Sequence, residues 1–182
     1  MIKKVLTTII LILCCAYLQA QPPTVAGVQF GTSYEQAKPI LDKRFNGGDV
    51  SYQLEKNRLT YYNVEFAGES FTYAEFDFQV NALNTYLSYI TFYKSYSLSE
   101  SALAKGKRDR LFAEYCKKYP FRWERKNEDD YKYYVLGNDY FNSELGFIVI
   151  EVKKDKDRVG TTKLWTILKY VCDGFVNTQD EI

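Results

Sequence analysis

From Val50 onward the chain alternates apolar and polar positions with the period of a strand. The runs Val50–Leu54, Leu59–Phe66, Ser70–Val80 and Tyr86–Tyr93 are rich in aromatic and β-branched residues. Lys56-Asn57, Ala67-Gly68-Glu69 and Asn81–Asn84 break them apart. Before the runs the period lengthens. Ser33 with Gln36 makes a capping box for a helix to about Phe45, with Ala37, Leu41 and Phe45 on one face and Gly47-Gly48 as the stop. Pro39, past the first turn, predicts a kink or a restart.

The same order then returns. A helical stretch is expected from Ser99 to about Tyr119, its buried face marked by Phe112, Tyr115, Cys116 and Tyr119. Gly106 is expected to divide it, and Pro120 to close it. Strands are predicted near Phe121–Arg125, Tyr131–Leu136, Gly146–Lys153 and Leu164–Val171. Residues 61–68 can be laid over 130–137, and 87–90 over 164–167. This predicts an α+β protein: two tandem units, each a helix plus a four-stranded antiparallel sheet, about 27–97 and 98–176, with helices on one sheet face.

Alternation assigns faces. In the strand beginning near Phe71, residues Thr72, Ala74, Phe76, Phe78 and Val80 read as core. Phe71, Tyr73, Glu75, Asp77 and Gln79 form an amphipathic opposite face. With Tyr61, Tyr62, Tyr86, Tyr89, Tyr93, Tyr131 and Tyr133 it predicts a sheet face carrying rows of tyrosine, a residue that offers large contact area and a hydroxyl at low entropic cost. The candidate binding residues are Tyr61, Tyr73, Glu75, Tyr89 and Tyr93. Tyrosine is also an ordinary packing residue of half-wet sheets, and that reading stands beside the functional one.

Composition narrows the chemistry. The 182 residues are 46% hydrophobic, 26% charged and 17% aromatic, as in a globular domain. Lys plus Arg is 24 against 23 acids, so no basic excess favours nucleic acid. With 0 His, Ser-His-Asp and Cys-His hydrolysis and the usual zinc sites are excluded. Glu75 with Asp77, or Glu65 with Glu69, could be drawn as paired carboxylates, though solvated face charges are the default among this many acids. Asn127–Asp130 lacks the spacing and glycine of a calcium loop and reads as a hairpin turn, as do Asp155 and Asp157. No phosphate-binding glycine loop or nucleophile motif is present in a usable context. No cofactor is expected.

Residues 1–20 read as a cleaved signal peptide: Lys3 and Lys4, an apolar run from Val5 to Ala16, then Leu18-Gln19-Ala20. The run is too short to span a bilayer, and no later stretch could. Export to the periplasm or the medium is thus expected, with residues 21–182 as a single α+β domain. Cys14 and Cys15 lie within the leader. In an oxidising compartment Cys116 and Cys172 could pair; the alternative is two buried thiols.

The stretch Gly27-Val28-Gln29-Phe30-Gly31-Thr32-Ser33, followed by Ala37 and Leu41, resembles the glycine-x-serine helix start of small outer-membrane assembly lipoproteins and their β-lactamase-inhibitor-like relatives. The resemblance implies tandem helix-and-sheet repeats and an exported module that binds other proteins through a concave sheet. The second half, opening Ser97-Leu98-Ser99, lacks the glycine motif, and Leu13 before Cys14 spoils a lipobox.

The leading expectation is therefore an exported, non-catalytic binding module of the cell envelope, its partner a protein or a glycan, engaged through the tyrosine face. Two alternatives remain. One is an envelope carbohydrate hydrolase with two converging carboxylates; the other is a carrier of an apolar ligand in a pocket lined by Phe76, Phe78 and Phe92.

Overall fold

A computed structural model describes residues 24–45, 50–53, 57–80, 85–137 and 146–172. The expected signal peptide, the Gly47-Gly48 stop and the Asn81–Asn84 break lie outside them. A short hairpin, β1 (Thr24–Val25) and β2 (Val28–Gln29), precedes α1 (Tyr34–Arg44). There follow β3 (Val50–Gln53), β4 (Arg58–Phe66), β5 (Glu69–Val80) and β6 (Thr85–Tyr96). A 3-10 turn (Leu98–Glu100) leads into α2 (Ser101–Tyr115). The chain continues with β7 (Phe121–Lys126), β8 (Lys132–Gly137), β9 (Phe147–Lys156) and β10 (Thr162–Val171).

Local chemistry sets the helix starts. Ser33 Oγ accepts from the Gln36 amide at 3.4 Å, and the Ser97 amide donates to Glu100 Oε2 at 2.7 Å. One expectation about breaks is corrected: α2 runs through Gly106 as one helix. Helix α1 continues through Pro39 and does not restart there. A mid-helix glycine costs only about 1 kcal/mol relative to alanine, less than burial of Ala104, Leu111 and Tyr115 against the sheet returns. The expected end at Tyr119 also shortens: the helix stops at Tyr115 and passes into turns.

All eight long strands form one antiparallel sheet in the order β3-β4-β5-β6-β10-β9-β8-β7. The expected pair of separate four-stranded sheets is thus corrected. Strands β6 and β10 pair from Tyr96↔Leu164 to Tyr89↔Val171, closing the two edges that separate sheets would have left open.

One row of register partners runs Tyr61, Ala74, Phe92, Leu168, Ile150, Tyr134 across six strands. Both helices cover it. Phe45, just past α1, meets Tyr61 with ring centroids 5.3 Å apart, and Phe112 of α2 stacks on Tyr134 at 4.0 Å. Phe76, Phe78 and Phe92 belong to this core and pack against the rings of Phe45, Tyr34 and Phe71.

Cys116 and Cys172 form no disulfide. Cys116 is exposed at the end of α2, while Cys172 is buried just past β10, its amide bonded to the Ser88 carbonyl at 3.1 Å. The pairing expectation is thereby corrected: one thiol is at the surface and the other is buried.

Candidate functional site

The adjacent row faces away from both helices. It runs Tyr62, Tyr73, Tyr93, Ile167, Glu151, Tyr133 across the same six strands. Successive residues of a strand point to opposite faces, so Tyr61 and Tyr62 cannot share one. Tyr61 is fully buried on the helix side, its hydroxyl donating to Asp42 Oδ1 at 2.8 Å. The candidate Tyr61 is therefore a core residue, and Tyr62 occupies the place assigned to it.

Phe71 departs from its expected face as well. The β4–β5 register passes from Tyr62↔Tyr73 to Val64↔Phe71, skipping Asn63, whose φ is 53°, and Thr72 opposite it. A left-handed residue in mid-strand interrupts the alternation. The Ser95 amide donates to Thr72 Oγ1 at 3.0 Å in place of a ladder bond. Phe71 consequently turns into the core, 2% exposed, against Phe92.

Three of the expected residues do come together. Tyr73 stacks on Tyr93 with centroids 4.6 Å apart, and Trp165 of β10 stands edge-on to Tyr73 at 5.6 Å. Glu75, one step along β5, is 7% exposed and pairs with Arg58 at 3.1 Å. Burial is the largest influence on Glu75 and raises its carboxyl above the usual carboxylate range, outweighing Arg58. Arg58 also binds Asp77. Burial pushes the Tyr73 and Tyr93 hydroxyls well above the ordinary tyrosine value, so both are protonated donors. Tyr89 lies toward the other end of β6, its hydroxyl accepting from Gln79 at 3.3 Å and its ring beneath Lys169.

The β9–β10 hairpin completes the site. Asp157 Oδ1 accepts from the Val159 and Thr161 amides at 3.1 and 2.8 Å, and Gly160 supplies the left-handed φ of 83° that closes the turn. The tip reaches across the sheet: Arg158 lies 5.3 Å above the ring of Tyr62, on β4. Beneath it is a cavity of about 330 Å³ floored by Tyr62, Thr72, Tyr73, Ser95 and Trp165. The hairpin contributes Lys156, Asp157, Arg158, Val159 and Lys163 as its wall.

Sequence reasoning missed Trp165 and the whole hairpin wall. Trp165 was legible only as a strand residue, and a charged turn gives no sign that it will fold over a distant strand. Among the described residues, no group of three or more acids, cysteines or histidines is placed to hold a metal ion, and no helix is long and apolar enough to cross a membrane. The Asn127–Asp130 segment is a hairpin turn, Asn127 Oδ1 accepting from the Asp129 and Tyr131 amides. No family model, curated protein or solved structure matches this chain.

Proposed function

We propose that the protein is an exported, non-catalytic binding module of the cell envelope that captures a protein or a glycan with its helix-free sheet face. The observation that carries this reading is the tyrosine row with Trp165 beside it and the hairpin cavity above, a concave aromatic site with convergent polar groups. The resemblance to exported protein-binding modules points the same way.

The hydrolase alternative finds less support. Glu75 and Asp77 share one guanidinium, Arg58. Glu75 and Glu151 stand on β5 and β9, with β6 and β10 between them, strand axes about 14 Å apart. The one carboxylate lining the cavity, that of Asp157, holds the turn.

A benzophenone amino acid placed at Tyr62 in living cells should crosslink to an envelope component on illumination. The same group at Leu103, exposed on α2, should give no such product. Equal labelling from both positions, or none from either, would reject binding through this face.

A further inference from the structure

The cavity under the hairpin tip gathers three cations and little to neutralise them. Among the described residues, no carboxylate forms an ion pair with Lys156, Arg158 or Lys163. Asp157, between two of them, has its Oδ1 committed to two turn amides. Other acids stand near these cations: Glu75 is under the influence of Arg158, Glu100 under that of Lys163, and Asp155 lies opposite Lys163 in the ladder but pairs with Lys153 at 3.6 Å. Glu75 is already engaged by Arg58, and Glu100 by Ser97.

The floor has a different character. Tyr73, Tyr62 and Trp165 offer aromatic surface, and Thr72 Oγ1 and Ser95 Oγ, 3.2 Å apart, place a hydroxyl pair at its margin. A site of this size takes one ring and part of its neighbours. Aromatic planes suit the apolar face of a pyranose, the side-chain hydroxyls suit its hydroxyl groups, and a guanidinium fork suits a carboxylate. The unneutralised cations favour an acidic ring over a neutral one.

From this arrangement we infer that the cavity is a binding site for a carboxylated sugar ring, a hexuronate unit of an acidic glycan, seated on Tyr73 and Trp165 with its carboxylate held by Arg158 and Lys163. The inference rests on the binding-module reading and names its ligand class.

Trp165 reports on the site directly, because the chain has 2 Trp and Trp123→Phe leaves Trp165 alone. Its emission is followed while the protein is titrated with a galacturonic acid trisaccharide, the corresponding neutral galactose trisaccharide, or inorganic phosphate. Calorimetric titration of the unsubstituted protein repeats each measurement without the substitution. A saturable response to the uronate is expected, at least tenfold tighter than to the neutral sugar. Arg158→Gln and Lys163→Gln should each weaken uronate binding about tenfold, the loss of one charged contact, with the melting temperature unchanged.

Equal affinity for the neutral sugar, a response to phosphate alone, or no response to any of the three overturns the inference. If none of the three binds but crosslinking from Tyr62 persists, the ligand class falls and the binding-module reading stands. If both fail, both are wrong.

Discussion

Lys107 Nζ meets Glu69 Oε2 at 2.7 Å from a position only 2% exposed, joining α2 to the β4–β5 hairpin. The ammonium also donates to the Ser70 carbonyl at 2.9 Å and lies 4.4 Å from the ring centre of Phe71. Glu69 is shared with Arg110 at 3.0 Å. Both bases hold the Glu69 carboxyl below its usual value against burial, whereas burial leaves Lys107 below the usual lysine value despite Glu69.

That asymmetry predicts unequal costs. Glu69→Ala strands a buried ammonium and should destabilise by about 3 kcal/mol. Lys107→Met removes the desolvated charge while Arg110 still serves Glu69, and should change stability by less than about 1 kcal/mol. Urea unfolding of both variants checks the order; equal losses would contradict it.

Glu75 yields a pH-dependent prediction. Its carboxyl is raised in the folded protein, so the charge costs folding stability above that raised value. Below the ordinary carboxylate value near 4.5 it is protonated folded and unfolded, and the cost vanishes. Glu75→Gln should therefore stabilise at pH 7, with the gain shrinking to nothing as the pH falls below 4.5. Melting curves across that range suffice, and a gain that grows on acidification would refute the sign.

Tyr73 is both a floor residue and the hub of an aromatic cluster with Tyr62, Tyr93 and Trp165. Tyr73→Ala should cost about 2 to 3 kcal/mol in lost packing. Tyr73→Phe keeps every ring contact and should cost under about 0.5 kcal/mol. Chemical denaturation separates the two, and loss of ligand binding in the phenylalanine variant, whose ring contacts persist, would assign a role to the hydroxyl.

Two glycines should respond oppositely to alanine. At Gly106 a Cβ would meet only Arg110 Nη1, at 3.7 Å, so the substitution should stabilise α2 by about 0.5 to 1 kcal/mol. At Gly146, with φ of 63°, a Cβ would fall 2.0 Å from the Val171 carbonyl oxygen, and the sheet must shift. Gly146→Ala should cost several kcal/mol or prevent folding. Thermal unfolding of the pair is the check.

Much of the fold was legible because strand signals are local. Every run rich in aromatic and β-branched residues became a strand with bounds shifted by three residues or fewer, and Ser33 capped the helix it precedes. A continuous helix holds at Gly106 because a mid-helix glycine costs only about 1 kcal/mol beside the burial it secures, and the first helix carries Pro39 within its 11 residues. Alternation alone places Tyr73 and Glu75 on the face opposite Ala74 and Phe76. It misplaces Phe71, since a left-handed Asn63 on the neighbouring strand reverses the face and leaves no mark in the pattern around Phe71.

The sequence by itself determined where the described strands and helices form, that 127–130 is a hairpin turn, and that one sheet face carries a row of tyrosines. These follow from backbone preference and side-chain period, which act over a few residues. Tertiary structure alone decided that β6 joins β10 into one sheet, that Cys116 and Cys172 stay apart, and that Arg158 crosses to Tyr62 and roofs a cavity over Trp165. Each depends on strand edges and surfaces meeting across long sequence separations, where packing selects the partner.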